Sequence, residues 1–180
     1  VLVPLEDPGL VILPFHRLLA ALQPRQLELL SANVEKHFHV LERPALKEIP
    51  AAAFAAELAL RGKEVQAIGM LEPGRAMLLT PKENTAPGEL DVSLLKRLLF
   101  DPLFAGDASE GHLDFVIDDE EARKAVLAGE AQAAFLLNPT PMEAVTERAL
   151  KGENMPQKST CFYPKLPSGL VIHHLGLSHR

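Results

Sequence analysis

The stretch from His112 to Lys151 limits the fold more than any other part of the chain. His112 to Ile117 alternates apolar and polar residues, which is the period of a strand. Asp118 or Asp119 can then cap a helix that runs to about Ala128, with acids in its first turn where the helix dipole favours them. Gly129 stops it, and Ala131 to Leu137 is a second, buried strand. Asn138-Pro139-Thr140-Pro141 opens another helix, with Thr140 as N-cap and Pro141 at its first position, and this helix ends near Lys151-Gly152. Strand, helix, strand, helix at this spacing is an α/β supersecondary pattern. The expected fold is therefore α/β or α+β: a mixed β-sheet flanked by helices, in one domain spanning 1–180.

The rest of the chain supplies elements of the same kind. Leu10-Val11-Ile12-Leu13 is an apolar run ended by Pro14 and suits a buried strand. Residues 24–37 read as a helix, with Pro24 in the first turn and Leu27, Leu30, Val34 and Phe38 at helical spacing. His37 to Leu41 forms a short strand. A second helix runs from about Pro50 to Leu60, with Gly62 as its terminator. Val65–Leu71 and Arg75–Thr80 make a hairpin around Glu72-Pro73-Gly74. Asp91 or Ser93 starts a helix carrying Leu94, Leu95, Leu98 and Leu99, and residues 101–111 follow as a loop. Gly169 to His174 is read as a terminal strand.

Composition narrows the function classes. Of 180 residues, 47% are apolar and 23% charged, the balance of an ordinary globular protein. The net charge of −6, with eight Phe, one Tyr and no Trp, argues against a nucleic-acid role. The lone Cys161 cannot form an intrachain disulfide and fits a reducing, cytoplasmic setting. No apolar run approaches the roughly 20 residues of a membrane helix. The chain begins at Val1 within what already reads as strand and turn, so it is expected to be part of a longer protein.

The residues that point to chemistry fall in three places. His16-Arg17 follows the first apolar run, and Arg17 is a bidentate donor suited to an anion. Asn138 and Thr140 follow a buried strand at a helix start, where free N–H groups suit a phosphate. Met155 to Lys165 places Lys158, Ser159, Thr160, Tyr163 and Lys165 among prolines, a combination that no core requires. Lys158-Ser159-Thr160 has the ending of a P-loop without its glycines, so it is not one. The alternative for each place is structural: a paired strand end, a plain helix cap, and a loop that pins the C-terminus. The histidines, including the pairs His37/His39 and His173/His174, match no zinc spacing, and no metal site is assigned. No Gly-x-Ser-x-Gly elbow is present.

Met155-Pro156-Gln157-Lys158-Ser159-Thr160-Cys161-Phe162-Tyr163-Pro164-Lys165 resembles the C-terminal signature of a bacterial and archaeal family known as domain of unknown function 1015. Leu13-Pro14-Phe15-His16-Arg17, Leu90-Asp91-Val92-Ser93-Leu94-Leu95 and Ala133 to Pro139 resemble further segments of that family in the same order. Phe15 stands where the pattern usually has Thr, and Cys161 where it usually has Tyr. Full-length members carry an upstream Asp-Gly-His-His-Arg-type segment that this chain lacks. That segment resembles nucleotide-using ParB-like and sulfiredoxin-like proteins, free-serine kinases among them. The resemblance implies a nucleotide, with magnesium, as the cofactor class and the upstream part of the protein as a partner.

Three functions fit these residues. One is part of an enzyme that binds a nucleotide or phosphorylated metabolite, a small anionic ligand, for phosphotransfer. In that case Arg17 and Lys158 should line one cleft. The others are a non-catalytic binding or regulatory module and a structural, oligomerising domain.

Overall fold

The computed structural model describes residues 4, 7–86, 88–104 and 111–165. Its main feature is a six-stranded sheet. The strands are β2 (His16–Leu19), β3 (Phe38–Arg43), β4 (Ile68–Glu72), β5 (Arg75–Pro81), β6 (Leu113–Val116) and β7 (Ala133–Leu136), in the order β3-β5-β4-β7-β2-β6. Every neighbouring pair is antiparallel. β6 and β7 both run antiparallel to β2, which lies between them, so the strand–helix–strand unit read from the sequence is a split one. The fold is α+β.

Helices cover both faces, and the sequence of the inner strands records this. β2, β4, β5 and β7 are apolar at successive positions because each face meets its own core. Leu19, Met70, Leu79 and Phe135 point to one side, where they join Leu30 and Val34 of α1 (Pro24–His37). Leu18, Leu71, Leu78 and Leu136 point to the other, against Phe54 and Leu58 of α2 (Ala51–Gly62) and Ala122 and Val126 of α5 (Asp119–Ala128). The two sets alternate along each strand with a period of two.

Helix α5 follows its expected signals. The Asp118 side chain accepts from the Glu121 N–H at 2.8 Å, and Gly129 leaves the helix at φ 77°. After α3 (Asp91–Leu95) the chain does not stop but passes through a π-helical turn, Lys96–Phe100, into α4 (Asp101–Phe104). The buried pairs Leu94/Leu95 and Leu99/Phe100 are therefore five residues apart, and Leu98, expected in the core at helical spacing, is only partly covered. Residues 101–104, expected as loop, are helix.

Leu10–Leu13 differs from expectation as well. Its strand, β1 (Val11–Leu13), is only half-buried and pairs antiparallel with β8 (Cys161–Tyr163) in a separate two-stranded sheet. The fully buried strand is the next one, β2, so His16 and Arg17 begin a strand and do not end one. The last helix, α6 (Met142–Lys151), has Pro141 as its N-cap in place of Thr140. Gly62 is the last residue of α2, and no left-handed turn occurs there. The terminal strand read at Gly169 to His174 lies outside the described residues, as do His173, His174 and His179. Among the described residues, no helix is long and apolar enough to cross a membrane.

Candidate functional site

Antiparallel pairing brings the start of β2, the end of β7 and the start of β4 to one edge of the sheet: Arg17 sits opposite Phe135, and Gly69 opposite Leu136. The loops that leave these strand ends, together with the start of α3 and the start of α6, line a half-open cavity of about 470 Å³. Arg17, Gln66, Glu89, Asp91, Asn138, Thr140 and Ser159 are among its polar lining residues. Three stretches chosen from sequence thus meet there.

Arg17 is 2% exposed. One guanidinium nitrogen donates to the Phe15 carbonyl, the other to the Lys158 carbonyl at 2.8 Å, and the group lies 5.6 Å from the centre of the Phe115 ring. Burial draws its pKa down to about 10, while the charge of Asp91 acts in the opposite sense. Its neighbour His16 is not part of the cavity wall. The His16 Nδ1 accepts from the Leu137 N–H at 3.2 Å, which leaves the proton on Nε2. That nitrogen lies 3.0 Å from Asp119 Oδ1, too far off axis for a well-formed hydrogen bond. His16 ties β2 to the end of β7 and lies beside Asp119 of α5.

Asp91 is the acid of the cavity. Burial pushes its carboxyl up, against the Gln66 side chain, the Arg17 charge and the Asn138 backbone N–H, which all pull it down. The second carboxylate in the lining, Glu89, is already held by Arg97 through two hydrogen bonds of 3.0 and 2.9 Å. Gln66 Nε2 also donates to the Glu89 carbonyl at 3.1 Å. Asn138 Nδ2 donates to the Ala67 carbonyl at 3.3 Å, and its amide packs so closely on Gly62 that a β-carbon there would collide with it. Gly62 is thus required by a close approach.

The signature stretch is built mostly from bonds to its own backbone. Ser159 Oγ donates to the Pro156 carbonyl at 2.5 Å, and Thr140 Oγ1 donates to the Ser159 carbonyl at 2.9 Å. Lys158 adopts φ 55°, a left-handed conformation that costs a non-glycine residue about 1–2 kcal/mol. Its ammonium lies 5.3 Å from the Phe15 ring centre and 5.8 Å from that of Phe115. Lys158 therefore meets Arg17 through its carbonyl, and its side chain does not line the cavity. Thr160 and Lys165 line a different hollow, beside Phe15, Cys161 and Phe162, and Tyr163 is exposed on β8. Asp91 and Gln66 were not chosen from sequence. An acid in a helix first turn is ordinarily explained by the dipole, and a lone Gln carries no signal.

Residues 1–98 match the model of the family described as protein of unknown function (DUF1015). The chain belongs to this family. The matched part holds Leu13–Arg17 and Leu90–Leu95 and ends before the Met155–Lys165 stretch, which carries the resemblance in sequence. No curated protein matches. Among solved structures, a conserved hypothetical protein from Pyrococcus furiosus is similar, with a TM-score of 0.58 and 20% identity over 93% of this chain and 62% of that one. A free serine kinase in complex with AMP gives 0.53 and 20%, and a point mutant of a free serine kinase with AMP gives 0.54 and 16%, each over 90% of this chain. This DUF1015 chain spans 57% of the length of those kinase chains. At such identities the likeness is one of fold.

Proposed function

We propose that the cavity between β2, β7, α3 and α6 binds a nucleotide or another phosphorylated small molecule, as part of a small-molecule phosphotransfer enzyme. The observation that carries this reading is the position of Arg17. It is a buried guanidinium on the wall of a cavity against which a ten-residue helix, α6, begins. Helix N-termini present free N–H groups and a partial positive charge, and both favour a phosphate. The AMP and ADP complexes of kinases with this fold support the choice of ligand. Among the described residues no three metal-ligating side chains gather, so magnesium would arrive on the phosphates of the nucleotide. An upstream segment would supply the acid–base chemistry.

The test is calorimetry and thermal shift of the chain with AMP, ADP and inorganic phosphate. Ligand at about 100 times its dissociation constant adds roughly 2.7 kcal/mol of stability. Binding by AMP or ADP that is lost in Arg17→Met supports the reading. No binding of any of the three at millimolar concentration overturns it.

A second reading concerns the signature alone. The Ser159 and Thr140 hydroxyls and the Arg17 guanidinium all hold carbonyls of the 156–159 loop. This favours Met155–Thr160 as the frame of the cavity, with the ligand contacts made by other groups.

A further inference from the structure

Asp91 sits in the cavity lining with only neutral groups, the Gln66 amide and the Asn138 N–H, as hydrogen-bond partners among the described residues. A first-turn acid stabilises a helix equally well from the surface. Here burial pushes the carboxyl up even with Gln66, Arg17 and Asn138 around it, so the site is a poor one for a purely structural acid. Among the described residues it has no direct salt bridge, whereas Glu89 beside it is clamped by Arg97. A carboxylate accepts about four hydrogen bonds. The Gln66 amide and the Asn138 N–H approach it, which leaves acceptor capacity on a residue that lines the cavity.

Charge decides what can fill that capacity. An anionic group is repelled by Asp91 itself. A cationic group is opposed by Arg17, which is near enough to act on Asp91 through its charge. A neutral donor meets neither obstacle. We propose that Asp91 accepts a hydrogen bond from a hydroxyl group of the bound molecule, so that the cavity selects a hydroxylated phosphate compound over a hydroxyl-free one. This rests on the phosphate-ligand reading above for the other end of the molecule. The hydroxyl can belong to a ribose or to a smaller polyol phosphate.

The experiment compares matched pairs on the full chain: AMP against 2′-deoxy-AMP and 3′-deoxy-AMP, and glycerol 3-phosphate against propyl phosphate. A hydroxyl bonded to a charged acceptor is expected to favour the hydroxylated member of one pair by roughly tenfold to a hundredfold. The pair that shows it tells ribose from polyol. In Asp91→Ala the preference should vanish while the hydroxyl-free member still binds. In parallel, the Asp91 carboxyl carbon is followed by NMR in the wild type with unphosphorylated ribose, glycerol and the phosphates, a readout that does not depend on the variant folding. Equal ratios in wild type and Asp91→Ala overturn the proposal, and so does a carboxyl signal that no hydroxylated compound moves. A signal moved by ribose or glycerol when no phosphate compound binds supports Asp91 as the hydroxyl acceptor and removes the phosphate reading instead.

Discussion

Arg17 Nη2 donates to the backbone carbonyl of Lys158 at 2.8 Å, joining residues 141 apart in the chain. The bond fastens the start of β2 to the loop of the signature stretch. Its energetic weight is small because two terms oppose each other. Two hydrogen bonds from a charged donor contribute about 1.5–3 kcal/mol each. Against them stands a burial cost on the order of 3 kcal/mol, set by the fall of the guanidinium to about 10 from 12.5. Arg17→Met, which keeps the bulk and loses the charge, should therefore lower the unfolding free energy by no more than about 3 kcal/mol in a urea titration. AMP or ADP binding should disappear. A large loss of stability would show that the guanidinium is there to hold the loop.

Asp91 gives a pH signature of known sign. Its folded carboxyl titrates above the unfolded one, so the native state holds the proton more tightly. The contribution is full below the ordinary Asp value of 3.8 and is lost as pH rises through the folded value. Asp91→Asn removes this loss. The variant should be more stable than wild type at neutral pH, and the difference should shrink as pH falls through the folded value and be gone below 3.8. Urea titrations across that range read the difference directly. A variant less stable at neutral pH would mean that the Arg17 attraction outweighs burial.

The reach of the sequence is clearest where local chemistry decides. The Asp118 cap and the Gly129 stop define α5 without any tertiary help, and Pro24 opens α1 at the expected residue. Local sequence is a poor guide where long-range contacts decide. Leu10–Leu13 is more apolar than β2, and only the pairing with β8 shows that it lies outside the main sheet. The π-helical turn shifts the buried face from Leu98 to Phe100, a change of register that no period of 3.6 anticipates. Arg17, Asn138, Thr140 and Ser159, picked out in sequence as anion-binding residue types after an apolar run, at a helix start and in the signature stretch, all line the cavity. Asp91 was hidden by having an adequate local explanation.

Gly69 carries a test of the sheet itself. A β-carbon at this position of β4 would lie 2.7 Å from Phe54 Cε1 and 3.1 Å from Leu136 Cβ, both on fully buried residues. Alanine normally gains about 0.5–1 kcal/mol over glycine inside a strand. Overpacking a filled core costs about 1–3 kcal/mol. Gly69→Ala should thus be destabilising on balance, as a lower midpoint in urea with an unchanged slope. A midpoint that stays or rises would mean that Phe54 can swing clear of β4.

Gly62→Ala separates the cavity from the fold. In the last turn of α2 the substitution gains up to about 1 kcal/mol of helix propensity. The new methyl group collides with the Asn138 amide and drives it from the Ala67 carbonyl, a loss of about 1 kcal/mol. The two nearly cancel, so stability should stay within about 1 kcal/mol of wild type. The cavity should not be so tolerant, because Asn138 lines it and its backbone N–H faces Asp91. The Asn138 side-chain amide signal should shift in NMR, and AMP or ADP affinity should fall severalfold. If the signal shifts while affinity is unchanged, Asn138 belongs to the scaffold of the cavity, and the ligand contacts lie with Arg17 and Asp91.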